Sequence, residues 1–248
     1  LVTGKKSMRQ IMVLMFLSFF FGNLNPAQAE VTAVIRGAVI RGAVITPAVS
    51  APADPCQSVA VGDACSNGVL YAGTGFAGLG SYKYMTTPGH CSGFTNNYTG
   101  FTPTCTGAID NLSYRWAKND ANPSACYTPT AGTTPCNVAT GVTSTTAGAS
   151  NTTTLAANYA DTDATRYCEN MTYPATNGYT DWYLPSKDEL NLVLYAMKVA
   201  GKGNFVASYY WSSTEYSAAN AWLQAFTNGS QVSYGKTYGY YVRCVRRY

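Results

Sequence analysis

The chain has 248 residues, of which 11% are charged and 13% aromatic, with twenty tyrosines, eight cysteines and one histidine. Its formal charge of +4 falls to +1 without Lys5, Lys6 and Arg9, when thirteen basic residues face twelve acidic ones. That balance removes the electrostatic ground for a nucleic-acid partner, and a lone His90 with no CxxC spacing gives a structural zinc site little to stand on.

Lys5, Lys6 and Arg9 precede the apolar run Ile11-Met12-Val13-Leu14-Met15-Phe16-Leu17 and Phe19-Phe20-Phe21, and Pro26-Ala27-Gln28-Ala29 follows. Basic, apolar and small-residue regions in that order read as a secretory signal peptide over 1–29, cleaved after Ala29. The apolar core is shorter than the ~20 residues a membrane helix needs, so no span is expected once the signal is removed. The expected location is secreted: extracellular, cell surface or periplasm. All the cysteines (Cys56, Cys65, Cys91, Cys105, Cys126, Cys136, Cys168 and Cys244) lie beyond the cleavage site. An even number in an oxidising compartment predicts disulfides, without choosing the pairing.

Residues 33–47 read Ala-Val-Ile-Arg-Gly twice and Ala-Val-Ile-Thr-Pro once. The Val-Ile pairs suit strand pairing or assembly, but three pentads cannot bury a core, and Pro47, Pro52 and Pro55 extend the chain. A linker over 30–55 is expected, followed by one domain over 56–248 with enough residues for a proper core. Residues 100–155, rich in Thr, Ala, Gly, Asn and Pro, read as irregular loops pinned by cysteines. A helix is expected over about 155–171. A firmer one covers 186–200: Ser186-Lys187-Asp188-Glu189 is a capping box after Pro185, and Leu190, Val193, Leu194 and Met197 make one apolar face. From Tyr209 to Arg246, short aromatic and β-branched stretches broken by Asn228-Gly229 and Gly235 predict strands joined by turns.

Several ordered blocks carry a resemblance. Asp181-Trp182-Tyr183-Leu184-Pro185-Ser186, Asp188-Glu189-Leu190, Tyr210-Trp211-Ser212-Ser213-Thr214-Glu215, Ala221-Trp222 and Val242-Arg243-Cys244-Val245-Arg246 resemble the domain family named after the C-terminal part of the Legionella collagen-like adhesin. Weaker pieces, Val61-Gly62-Asp63 with Gly68 to Tyr71 and Thr140 to Leu155, look like its earlier blocks, so the similarity spans about 60–247. The resemblance implies an α+β, C-type-lectin-like fold of the variety shared with formylglycine-generating enzymes: a small twisted antiparallel sheet, two helices and long disulfide-pinned loops. It also implies a disulfide between Cys168 and Cys244. The extra cysteines depart from the family and leave the course of residues 91–136 open.

The tail also resembles the variable repeat of proteins targeted by diversity-generating retroelements, in which template adenines, chiefly of AAY codons, are replaced at random. Such codons never reach Gln, Glu, Lys, Met or Trp. Tyr216, Ser217, Ala218, Ala219, Asn220, Leu223, Ala225, Thr227, Ser230, Ser233, Tyr234, Gly235, Thr237, Tyr238, Gly239 and Tyr240 belong to the accessible set. Glu215, Trp222, Gln224, Gln231 and Lys236 do not, and would be fixed scaffold. The resemblance implies that the accessible positions form the ligand-binding surface.

Catalytic constellations find no support in the composition. His90 next to Cys91 points away from it in most conformations, and Asp161 with Asp163, or Asp188 with Glu189, have helix-start or turn roles. A shared fold with oxidases is not a shared function. No metal and no cofactor is expected; the calcium-ligand clusters of the lectin branch are missing. Trp182, Trp211 and Trp222 are expected to pack beneath the sheet. Tyr234, Tyr238 and Tyr240, in a Gly-rich stretch, are expected at an interface. The expected function is therefore a non-enzymatic, adhesin- or receptor-like protein that binds a protein or glycan through residues of 216–240, with a homo-oligomer as a further possibility. The competing readings are an envelope component assembling through the pentads and a fold-related oxidase.

Overall fold

A computed structural model describes residues 33–35, 38–40, 54–89, 95–96, 114–117, 138–159, 162–174 and 178–248. The signal-peptide segment, His90, Cys91, Cys105, Cys126, Cys136 and Asp161 lie outside these residues. By its internal contacts the chain divides into Leu1–Ala53 and Asp54–Tyr248. In the first unit β1 (Ala33–Ile35) and β2 (Ala38–Ile40) pair antiparallel, with Val34 opposite Val39. The first two pentads thus follow the strand preference of their Val-Ile pairs.

The second unit is α+β. In chain order it holds β3 (Leu70–Thr74), β4 (Lys83–Thr86), β5 (Thr95–Asn96), β6 (Tyr114–Arg115), α1 (Gly148–Asn158), α2 (Asp163–Glu169) and β7 (Met171–Thr172). Then α3 (Lys187–Glu189) runs through a π-helical stretch (Leu190–Tyr195) into α4 (Ala196–Val199). β8 (Tyr209–Glu215), β9 (Asn220–Ala225), β10 (Gln231–Gly235), β11 (Gly239–Tyr240) and β12 (Val245–Arg247) complete it. The strands form antiparallel sheets of order β12-β4-β3 and β10-β9-β8, and the pairs β11-β6 and β5-β7. Several small sheets therefore stand where one was expected.

Among the described residues, three helical segments stand where two were expected. The single helix over 155–171 is two, parted after Tyr159, and α1 reaches back to Gly148 into a stretch read as loop. The inward face of α1 is Gly148, Asn151, Thr152 and Leu155, so it lacks the aliphatic periodicity that marks an amphipathic helix. Polar bonds hold it instead: Asn151 Nδ2 donates to Ser144 O at 2.7 Å and to Ser213 Oγ at 3.3 Å, and Thr152 Oγ1 accepts from Leu184 N at 3.1 Å. The 187–199 rod matches its expected span and buries Leu190, Val193, Leu194 and Met197. Its capping box is complete, with Glu189 N–H donating to Ser186 Oγ and Ser186 N–H to Glu189 Oε2.

Glu189 does more than cap. Its fully buried carboxylate also accepts from Gly148 N (3.1 Å), Tyr183 Oη (3.0 Å) and Tyr84 Oη (3.2 Å), with Arg247 Nη1 at 3.5 Å. A Cβ on Gly148 would stand 2.2 Å from Glu189 Oε2, so only glycine lets α1 start there. Burial and the adjacent carboxylate push the Tyr84 phenol up to about 12.

β8 separates two apolar clusters. Trp211 packs with Trp116, Leu155, Cys168, Leu184, Leu223 and Cys244, while its neighbour Tyr210 packs with Leu190, Leu194, Phe226 and Val245, as strand alternation requires. Cys56 is bonded to Cys65. Cys168 of α2 is bonded to Cys244, the pair implied by the resemblance, with Cys244 just before β12 and not within it. Arg246, two residues on, holds Asp181 through two bonds of 2.7 and 2.9 Å. The blocks Asp181 to Ser186 and Val242 to Arg246 are thus tied together.

Candidate functional site

The candidate surface is built on β8, β9 and β10. The register runs unbroken from Gln231 opposite Gln224 to Gly235 opposite Asn220, and opposed residues share a face. Asn220, Trp222, Gln224, Gln231, Ser233 and Gly235 therefore face one way, and Ala221, Leu223, Ala225, Val232 and Tyr234 the other. The sequence alone treated 216–240 as one surface; the sheet divides it.

Four of the residues expected to be fixed, Glu215, Gln224, Gln231 and Lys236, hold internal bonds. Glu215 and Lys236 are 4% and 1% exposed and meet at 2.5 Å. Glu215 also accepts from Thr140 N and Gly141 N, and Lys236 Nζ donates to Val138 O while lying 4.8 Å from the centre of the Trp116 ring. Burial pulls the Lys236 ammonium below its ordinary pKa, and the bond to Glu215 opposes that pull. Gln224 donates to Asn191 Oδ1 and Gly229 O, and Gln231 to Lys187 O, which locks the sheet to the helical rod. Trp222 departs from its expected burial. It is half-exposed, with Tyr216 edge-on at 5.0 Å and Lys187 Nζ 4.6 Å from the ring centre, whereas Trp182 and Trp211 lie in the core.

The accessible positions fall into four groups. Tyr216, Ser217, Ala218, Ala219 and Asn220 form the β8–β9 turn, closed by bonds between Asn220 and Tyr216 and Ser217, with Ala218 and Asn220 half-buried and the rest exposed. Thr227 and Ser230 are exposed at the other end of β9, beside the Asn228-Gly229 turn, where Gly229 has φ +83°. Ser233, Tyr234, Gly235, Thr237, Tyr238, Gly239 and Tyr240 run along β10 and into β11, each exposed or half-buried. Leu223 and Ala225 form the fourth group and depart from the expected exposed surface: both are 2% exposed and face inward from β9, within the core.

The third group holds an aromatic cluster. Tyr240 stands within 5.2–5.5 Å of the ring centres of Trp211, Tyr234 and Tyr209, and Tyr234 meets Tyr238 at 4.8 Å, all edge-to-face. Burial, then the neighbouring tyrosines, push the Tyr240 phenol up to about 12. Tyr209, Tyr234 and Tyr238 are 42%, 44% and 56% exposed, which makes this a solvent-facing aromatic patch seated on the core through Tyr240. Tyr209 and Val232 fall inside the 209–241 segment that the resemblance implies as the variable-type surface, but neither is among the ligand-binding residues it names. Val232 is exposed two residues before Tyr234, and period-two spacing could have found it. Between Tyr216 and Tyr240 the one charged residue is Lys236, which is buried, so these residues present no exposed formal charge.

Comparison with known families matches residues 110–246, more than half of the chain, to the Lcl C-terminal domain. The segments 61–63 and 68–71 lie outside that match. No curated protein matches the chain.

Proposed function

We propose, from the premise that this chain belongs to the Lcl C-terminal domain family, that it is an adhesin-like protein displayed outside the cell which binds its ligand through the Tyr209–Tyr234–Tyr238–Tyr240 patch. The observation that carries the reading is the contrast between neighbours: Glu215, Gln224, Gln231 and Lys236 are engaged in internal bonds, while the tyrosines between and beside them face solvent. Clustered exposed aromatics on a bonded scaffold suit recognition, because tyrosine gives contact area at low entropic cost. The disulfides agree with an oxidising location, and no described helix is long and apolar enough to cross a membrane. A lectin-like scaffold and diversification of the accessible positions by a retroelement belong to this reading.

The binding test screens the protein against glycan and cell-surface-protein arrays, then repeats the screen with Tyr234→Ala and Tyr238→Ala. Capture is expected to fall at least tenfold while the melting temperature holds; capture unchanged in the double variant refutes the reading. Diversification is tested in the DNA, where an adenine-rich near-copy of codons 209–247 beside a reverse transcriptase gene is expected. The β1–β2 pairing supports a second reading, assembly through the pentads, which predicts that deleting residues 30–50 abolishes assembly and spares ligand capture.

A further inference from the structure

Antiparallel pairing turns both backbone groups of alternate residues away from the partner strand. β10 is the outer strand of its sheet, paired with β9 alone among the described residues. Its even-numbered residues face β9. Ala225 N–H donates to Ser230 O at 2.8 Å and Lys236 N–H donates to Ala219 O at 2.9 Å, at the two ends of the unbroken register. By the same alternation Gln231 and Ser233 direct N–H and C=O outward, where no described strand pairs with them.

Proteins commonly blunt such edges with lysine, proline, a bulge or a cover. β10 reads Gln-Val-Ser-Tyr-Gly, with no charge, no proline and no bulge against β9. Val232 and Tyr234 stand exposed two residues apart on one face, with Tyr238 continuing beyond Tyr234. Resting on the reading of this surface as the binding site, we propose that its ligand is a protein segment in extended conformation that adds to β10 as a fourth strand. The chemistry selects a peptide over a sugar. Two outward donor–acceptor pairs at strand spacing match a peptide backbone, and alternate side chains of an added strand would fall beside Val232 and Tyr234. The uncharged face favours an apolar or aromatic residue at those positions.

Panning the intact chain against a random peptide phage library supplies the probe. An enriched synthetic peptide is expected to protect the Gln231 and Ser233 amides from hydrogen exchange. Ser233→Pro removes an outward N–H without touching a bond to β9, and is expected to weaken that peptide about tenfold. Should Ser233→Pro fail to fold, N-methylation of alternate peptide residues reads the same bonds from the other side, with a similar loss expected. Peptides that bind Ser233→Pro and tolerate N-methylation unchanged overturn strand addition. So does concentration-dependent self-association of the chain that Ser233→Pro abolishes, since the occupant is then a second copy. If no peptide is enriched and a glycan is captured through Tyr234 and Tyr238, strand addition fails and the surface reading stands. If nothing captured depends on those tyrosines, the surface reading falls and strand addition falls with it.

Discussion

At the scale of single residues, the informative positions are the charged groups that the sheet swallows. Glu215 and Lys236 sit at the end of β8 and just beyond β10, and their pairing joins both to the 138–141 segment. Burying two charges is costly, and the further hydrogen bonds of Glu215 with Thr140 and Gly141 and of Lys236 with Val138 offset that cost. Glu215→Ala leaves the ammonium without its carboxylate beneath Trp116 and is expected to cost about 3–5 kcal/mol in urea denaturation. Lys236→Met is expected to cost less, because the backbone amides of Thr140 and Gly141 still serve the Glu215 carboxylate. The codon rule sets both residues outside the accessible positions, but it does not tell an exposed accessible residue from a buried one. Leu223 passes that rule and is core, because composition carries no information on which way a strand residue points until the register is known.

Among the elements, legibility followed the chemistry of each inward face. The 187–199 rod was readable because a capping box and four aliphatic residues repeat its period. α1 was not, since Asn151 and Thr152 do by hydrogen bonding what leucines do by burial. The two helices meet at Glu189, where the cap of one receives the first amide of the other. Ser186→Ala removes one capping acceptor and is expected to cost about 1 kcal/mol. Glu189→Ala strands the hydroxyls of Tyr84 and Tyr183 and the amides of Ser186 and Gly148 together, and a loss on the order of 3–5 kcal/mol is expected. Urea midpoints of the two variants measured side by side check the ratio: equal costs would mean that Glu189 acts only as a cap.

Across the whole molecule, two cross-links of different kinds hold the C-terminal end of the second unit. The Cys168–Cys244 disulfide closes a separation of 76 residues, and replacing both cysteines with serine is expected to cost about 2–5 kcal/mol, read as a lowered urea midpoint. The family resemblance made this pair legible; nothing in the spacing of the cysteines did. The second cross-link was illegible, because it joins the first and last residues of the unit through polar groups that carry no motif. Asp54 accepts from Lys83 Nζ, from the Tyr248 hydroxyl and, at 2.9 Å, from Cys56 N–H. Those donors, Lys83 first and Tyr248 second, hold its carboxyl at about 2, below its ordinary 3.8. A depressed carboxyl contributes stability that is complete above the unfolded-state value and is lost as pH falls through the folded-state value. The melting temperature is therefore expected to drop between about pH 4 and pH 2 by a component that Asp54→Asn abolishes. Asp54 and Lys83 are half-buried and Tyr248 is exposed, so water reaches the site, and that component should be modest and should shrink as salt is added. Thermal melts of both proteins across that range, at low and at high salt, check it: parallel curves would mean that the clasp contributes nothing to holding the ends together.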